Sequence, residues 1–277
     1  MDKKTGFFNN LCDIDHTIVN DSGTLVGGSY KLSVVITGNL EDFNHIKSTI
    51  TELIDREFAN KLLIIPSYSK CMIVLNTPDK RALRADSFEL EALKGYINIV
   101  ECNYIGSVIE TMQRAIQQFV WNNVQQYGLS IEVKLTENML VNGSNYFHKF
   151  RHITVSESNI NGYYGWIEVE HDTLFKSDCF DCQRGIESFN SIGKYLQDVI
   201  FINGNDIKSD SDGVIKLTFK NFELSISKAM YNIVSIDSDN ILDWICAKWG
   251  STLAMGHIKS ISLSKGLSNG TIKRFSY

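Results

Sequence analysis

Two stretches of the chain read almost alike. Gly38-Asn39-Leu40-Glu41-Asp42-Phe43-Asn44-His45-Ile46-Lys47 and Gly185-Ile186-Glu187-Ser188-Phe189-Asn190-Ser191-Ile192-Gly193-Lys194, aligned on Phe43 and Phe189, share Glu41/Glu187, Asn44/Asn190 and Ile46/Ile192. The separation, 189 − 43 = 146, is about half of the 277-residue chain. Self-similarity at that period implies two copies of one folding unit, and it fixes the fold more than any single motif does. A chance match between two amphipathic helix starts is the competing explanation.

The flanks extend the likeness. Leu25 to Ile36 and Ile160 to Val169 each alternate β-branched or aromatic residues after an early glycine, which predicts a strand in each half. A helix follows each shared motif, with Ile46, Ile50 and Leu53 in one and Phe189, Ile192 and Leu196 in the other at helical spacing. Tyr104 to Trp121 predicts a long helix, and Ile241 to Trp249 its shorter counterpart. Ile131 to Leu135 and Ile258 to Leu263 close the halves as strands. Further strands are expected over Lys61–Pro66, Cys71–Leu75, Val199–Asn203, Val214–Phe219 and Phe222–Ile226. Runs of neighbouring strands with helices on one face predict an antiparallel α+β fold. Asn138, Asn142, Gly143 and Ser144 break the pattern, so the expected units are 1–140 and 141–277.

The chain has 43% hydrophobic and 21% charged residues, enough apolar surface for two cores. Its net charge of −5 and the lack of a lysine-arginine stripe argue against nucleic acid as a partner. The first ten residues hold no apolar run of signal length, and no segment approaches a membrane span. The expectation is a cytoplasmic protein whose six cysteines, Cys12, Cys71, Cys102, Cys179, Cys182 and Cys246, are reduced thiols. Cys179-Phe180-Asp181-Cys182 has the spacing of a metal or redox pair, with His171 eight residues upstream, but a structural zinc site needs four ligands and no second pair is present. A free surface loop is its default reading.

Three segments of the first half resemble the 6-pyruvoyl-tetrahydropterin synthase and 6-carboxytetrahydropterin synthase family. They are Gly27-Gly28-Ser29-Tyr30-Lys31-Leu32-Ser33-Val34, Asp42-Phe43-Asn44-His45-Ile46-Lys47, and Lys61-Leu62-Leu63, closed by Val133-Lys134-Leu135-Thr136-Glu137. The whole chain is similar to a bacterial two-domain branch of that family. The resemblance implies tandem tunnelling-fold (T-fold) domains, with a barrel closed by oligomerisation and a pterin or purine-like heterocycle bound at a domain interface. It also implies a homodimer or homotetramer.

The same resemblance implies a zinc-dependent lyase of tetrahydropterin or deazapurine (queuosine-type) biosynthesis, its metal held by three histidines. His16 and His152 occupy the first of those positions in each half, but the following H-x-H falls on Val26 and Gly28, and on Asn161 and Tyr163. Valine and glycine offer no ligand, and asparagine is a poor one for zinc. His16 and His152 then read as half-buried histidines with hydrogen-bond partners. The family's Asp-His acid-base pair falls on Ala59 and Asn60, and an amide cannot exchange a proton near neutral pH. No cofactor is therefore expected.

Glu137 matches the glutamate that anchors the ligand, with Thr136 beside it and Lys265 at the equivalent place in the second half. A carboxylate can accept paired hydrogen bonds from an amino group and an adjacent ring N–H; a solvated strand-end carboxylate is the alternative. Asp42 reads as a helix cap, Lys47 as a solvated helix residue, and Trp121, Trp166, Trp244 and Trp249 as core or interface aromatics. Three functions stay open: a pterin-type binder without the zinc-lyase site, an active carbon–oxygen lyase, and a non-catalytic assembly scaffold.

Overall fold

The computed structural model describes residues 4–38, 43–102, 106–137, 146–236, 240–267 and 269–275. The first half runs β1 (Lys4–Val19), β2 (Leu25–Gly38), α1 (Phe43–Glu57), β3 (Leu62–Ile64), β4 (Met72–Asn76), β5 (Lys80–Arg84), β6 (Phe88–Leu93), β7 (Ile97–Ile99), α2 (Val108–Val124) and β8 (Ser130–Thr136). The second repeats that order as β9 (Phe147–Val155), β10 (Ile160–His171), α3 (Phe180–Tyr195), β11 (Val199–Asn203), β12 (Ile207–Ser211), β13 (Val214–Thr218), β14 (Phe222–Ser227), β15 (Asn232–Ile236), α4 (Ile241–Met255) and β16 (Ile258–Lys265), and adds β17 (Asn269–Arg274). Sheet orders match as well: β7-β3-β1-β2-β8 in one half and β15-β11-β9-β10-β16-β17 in the other.

The third sheet, β12-β13-β14-β6-β5-β4, belongs to both halves. Its central pair sets Leu90 opposite Leu224, Phe88 opposite Ile226 and Ala92 opposite Phe222. Every second residue of β6 is buried, so its inner face packs downward while Glu89 and Glu91 face water. Beneath it, Leu83, Phe88, Leu90, Ile153, Ile200, Leu217 and Leu224 share one core drawn from both repeats. Two further cores lie under the helices, one with Ile50, Ile54, Met112 and Ile116, the other with Phe189, Ile192, Ile245 and Leu253. Burial of such side chains stabilises by roughly 1.5–3 kcal/mol each before entropy is counted.

The fold is mixed α+β, and the expectation of purely antiparallel sheets is corrected. β1 pairs with β3, β3 with β7, β9 with β11 and β11 with β15 in parallel. Each of these pairs is separated in sequence by a helix or an inserted hairpin, the crossover that parallel neighbours require. Helix α2 begins at Val108, where Ser107 and Glu110 form a capping box. Helix α4 continues past Trp249 to Met255. Strands β5, β6, β7, β12, β15 and β17 were not expected. Asp42, Tyr104, Ile105 and the pattern break at Asn138, Asn142, Gly143 and Ser144 lie outside the described residues.

The repeat is real, but the motif that announces it is out of register. Strand pairing sets His16 opposite Gly28 and His152 opposite Tyr163, so equivalent strand residues differ by 152 − 16 = 136 and 163 − 28 = 135. Leu62 and Ile200, paired with Thr17 and Ile153, differ by 138. Phe43 is the first residue of α1, whereas Phe189 lies well inside α3. A separation of 146 therefore slips the helices by about two turns. Such a slip keeps the apolar face in phase, which is why helical spacing could not reveal it. Asn60 and Asp198, also 138 apart, both take left-handed backbone angles (φ 55° and 51°) just before β3 and β11. Asn60 thus serves a turn that asparagine and aspartate tolerate best.

Trp166 is buried, and Trp244 and Trp249 pack against the second helical core. Trp121 lies outside the core, 43% exposed on α2. Lys47 is exposed, as a solvated helix residue should be. Among the described residues no helix is long and apolar enough to cross a membrane.

Candidate ligand site at the seam between the repeats

The two halves meet where their longest hairpins cross. Gly27 and Gly162, equivalent residues of β2 and β10, face each other across this seam. A Cβ on Gly27 would stand 2.3 Å from the carbonyl oxygen of His152, and one on Gly162 would stand 2.4 Å from that of His16. The contacts mirror each other, so a local two-fold axis runs between the glycines. Only residues without a side chain let two backbones approach this closely. Thr17 Oγ1 donates to the carbonyl of Ile160 at 3.1 Å across the seam. Ser29 Oγ donates to Asp15 Oδ1 at 2.5 Å and accepts from the Tyr164 N–H at 2.9 Å.

Positions 16, 26 and 28 share one face, as the pairing of His16 with Gly28 and of Ile18 with Val26 requires. Of the three, only His16 carries a donor. Its ring lies against Gly28, where a Cβ would come within 2.7 Å of Cε1, and stacks on Tyr30 at 5.1 Å. The expectation of a half-buried, hydrogen-bonded His16 is corrected, because the residue is fully buried and, among the described residues, neither ring nitrogen has a hydrogen-bond partner. The backbone of Ile14 favours the imidazolium without closing a hydrogen bond, but desolvation outweighs it and pushes the His16 pKa down to about 4, keeping the ring neutral. His152 is fully buried too, not half-buried, and stacks on Tyr163 at 5.2 Å. Tyr163 fills the position of a second ligand with a phenol that Asn161 and Thr154 hydrogen-bond. Among the described residues no group of three or more His, Cys, Asp or Glu gathers closely enough to hold a metal ion. The residues present do not fit the family's zinc.

Glu137 follows Thr136, the last residue of β8, where the register pairs Thr136 with Lys31. Arg151 reaches it from β9 of the other repeat, with Nη2 3.3 Å from Oε1. The two side chains are 29% and 33% exposed, so water reaches both and the pair contributes little stability. Among the described residues no donor reaches Oε2. The Arg151 guanidinium lies 5.3 Å from the ring centre of Tyr164. Desolvation, then the Glu137 charge, raises the hydroxyl pKa of both Tyr164 and Tyr30, so both phenols stay protonated. The cluster thus holds one partly open carboxylate, one planar cation and aromatic faces.

Arg151 and Tyr164 escaped the sequence reading. Arg151 stands one place before His152, so strand alternation turns it to the opposite face from the buried imidazole, and that alternation was the available signal. Of Thr136 and Glu137, only the carboxylate joins this cluster.

No family model matches the chain, and no curated protein matches it. Solved structures resemble it weakly over about half its length. A catalytic-residue mutant of the 6-pyruvoyltetrahydropterin synthase of Plasmodium vivax is 13% identical, with a TM-score of 0.35, over 50% of this chain and 93% of that one. The 6-pyruvoyl tetrahydropterin synthase of Plasmodium falciparum is 15% identical, with a TM-score of 0.33, over 46% and 92%. An uncharacterized protein from Wolinella succinogenes is 11% identical, with a TM-score of 0.31, over 49% and 92%.

Proposed function

We propose that this protein is a tandem T-fold relative of the tetrahydropterin synthases that binds a pterin or purine-like heterocycle at the seam and has lost the zinc-lyase site. The observation that carries this reading is Glu137 held open beside Arg151 and Tyr164. A flat ring bearing an amino group next to a ring N–H would offer Glu137 the paired donors that Arg151 now offers singly. Tyr164 and the guanidinium supply faces on which such a ring can stack. Loss of the lyase chemistry is supported by Val26, Gly28, Tyr163, Ala59 and Asn60 in the places where that chemistry needs metal ligands and a proton carrier.

Calorimetry with neopterin, guanine and adenine tests the reading. We expect saturable binding of a ligand carrying the amino–ring N–H pair, weakened about tenfold or more by Glu137→Gln, because charge-assisted hydrogen bonds contribute about 1.5–3 kcal/mol. Equal affinity in the variant, or no binding to any of the three, would reject it. Stoichiometric zinc in purified protein would restore the active carbon–oxygen lyase instead.

A second reading, self-assembly into a homodimer or homotetramer, rests on β4. This edge strand of the shared sheet exposes Met72, Ile73, Val74 and Leu75 at 64%, 39%, 51% and 37%. An apolar edge with unpaired backbone groups is a template for pairing with another chain. Val74→Lys should shift the sedimentation coefficient toward that of a 31.4 kDa monomer. An unchanged oligomer would place the contact elsewhere, and a monomeric wild type would end this reading.

A further inference from the structure

Cys179-Phe180-Asp181-Cys182 does not form a surface loop. It opens helix α3, with Cys179 as the N-cap residue and Cys182 in the first turn. The two sulfurs sit differently. Cys179 is partly exposed, and its flanks are open, with Leu174 and Phe180 exposed by 64% and 70%. Cys182 shows no surface to water, although it lies just beneath the exterior, and its sulfur accepts the Lys176 N–H at 3.4 Å. A partly exposed thiol one helical turn from a buried one is the arrangement of a nucleophile and its resolving partner.

We propose that Cys179 and Cys182 form a redox-active dithiol that exchanges with low-molecular-weight disulfides. The Cys179 thiolate attacks one sulfur of the disulfide, forming a mixed disulfide and releasing one thiolate. Cys182 gives its proton to that thiolate and attacks the Cys179 sulfur. The Cys179–Cys182 bond forms, and the second small thiol leaves as a thiolate that takes up the proton Cys179 had released to water on ionising. The small disulfide gains two electrons and two protons, and the protein dithiol loses them.

The electrostatics agree with this division of roles. The Cys182 backbone N–H, then the Cys182 thiol and the Asp181 backbone N–H, pull the Cys179 pKa down against desolvation and the charge of Asp181, without closing a cap hydrogen bond. Burial pushes the Cys182 thiol up. Burial likewise raises Cys12, to about 12, and raises Cys71 and Cys246. Metal binding is the poorer use of the pair, because no third ligand joins it among the described residues. His171, the nearest histidine in sequence, packs its ring on Phe175 at 3.8 Å.

The test uses the full chain with oxidised glutathione as the probe. Limited iodoacetamide treatment of the reduced protein should alkylate Cys179 about tenfold faster than Cys71, read by peptide mass spectrometry. Incubation with glutathione disulfide should link Cys179 to Cys182 with loss of two hydrogens, and Cys182→Ser should stop at a glutathione adduct on Cys179. The wild-type alkylation rate keeps the test independent of how well the Cys182→Ser variant folds. Equal alkylation rates, or glutathione adducts in the wild type with no Cys179–Cys182 bond, would overturn the proposal.

Discussion

Gly27→Ala should lower the unfolding free energy by about 3–5 kcal/mol, the upper end of what overpacking costs. The added methyl would lie 2.3 Å from the His152 carbonyl oxygen, 2.6 Å from the Tyr163 nitrogen and 2.9 Å from the Tyr163 oxygen. All three are backbone atoms of β9 and β10, and those strands are tied to their neighbours by ladder hydrogen bonds. No rotamer change relieves the clash, so the two hairpins must separate. That movement would also break the Thr17 to Ile160 hydrogen bond and the Ser29 bridge to Tyr164. Gly162→Ala should cost a similar amount, since its methyl would meet the His16 oxygen at 2.4 Å and the Gly27 Cα at 2.5 Å. Gly95→Ala is the control, because nothing lies within 4 Å of its added Cβ. It should change stability by less than about 0.5 kcal/mol. Urea denaturation of the three variants measures the differences. A loss below about 1 kcal/mol for both seam glycines would mean that the hairpins do not meet as described.

The duplication was legible because alternation in strands and 3.6-residue spacing in helices survive sequence drift. Register was not. A heptad-like slip leaves a helical face unchanged, so Phe43 and Phe189 matched without being equivalent. A better marker lay in the sequence unread: Phe88-Glu89-Leu90 recurs as Phe222-Glu223-Leu224, separated by 134. These are the two strands that pair at the centre of the shared sheet. Their pairing joins the repeats, and no local pattern announces it, because an amphipathic strand reads the same whichever neighbour covers it. The place of Glu137 at the end of the closing strand was legible, but its ion-pair partner Arg151 comes from the other repeat. Contacts between distant segments are what composition and periodicity carry least. The cysteine pair misled for a related reason: a lone Cys-x-x-Cys reads as a free surface loop, whereas the helix begins at Phe180.

Acidification should destabilise the wild type more than a His16→Phe variant. In the fold, burial holds the His16 imidazole near a pKa of about 4, against an ordinary value of 6.5. Arg151 adds a smaller push in the same direction, and the Ile14 backbone opposes both. The folded pKa is the lower one, so between these values the unfolded chain binds a proton that the native protein refuses. Stability therefore rises with pH across this window and falls as pH drops. The full contribution is present above about pH 6.5, is lost progressively toward pH 4, and changes little below. At about 1.4 kcal/mol per unit, the interval corresponds to a loss of about 3 kcal/mol. Phenylalanine keeps an aromatic ring between Gly28 and Tyr30 but cannot take up the proton. Every other titratable group is common to both proteins and cancels in the difference. Urea unfolding at pH 7 and pH 4.5 reads that difference. We expect the gap between wild type and variant to shift by about 2–3 kcal/mol in favour of the variant on going to pH 4.5. A constant gap would show that water or a hydrogen-bond partner reaches the ring in solution, and that His16 is not a dry imidazole.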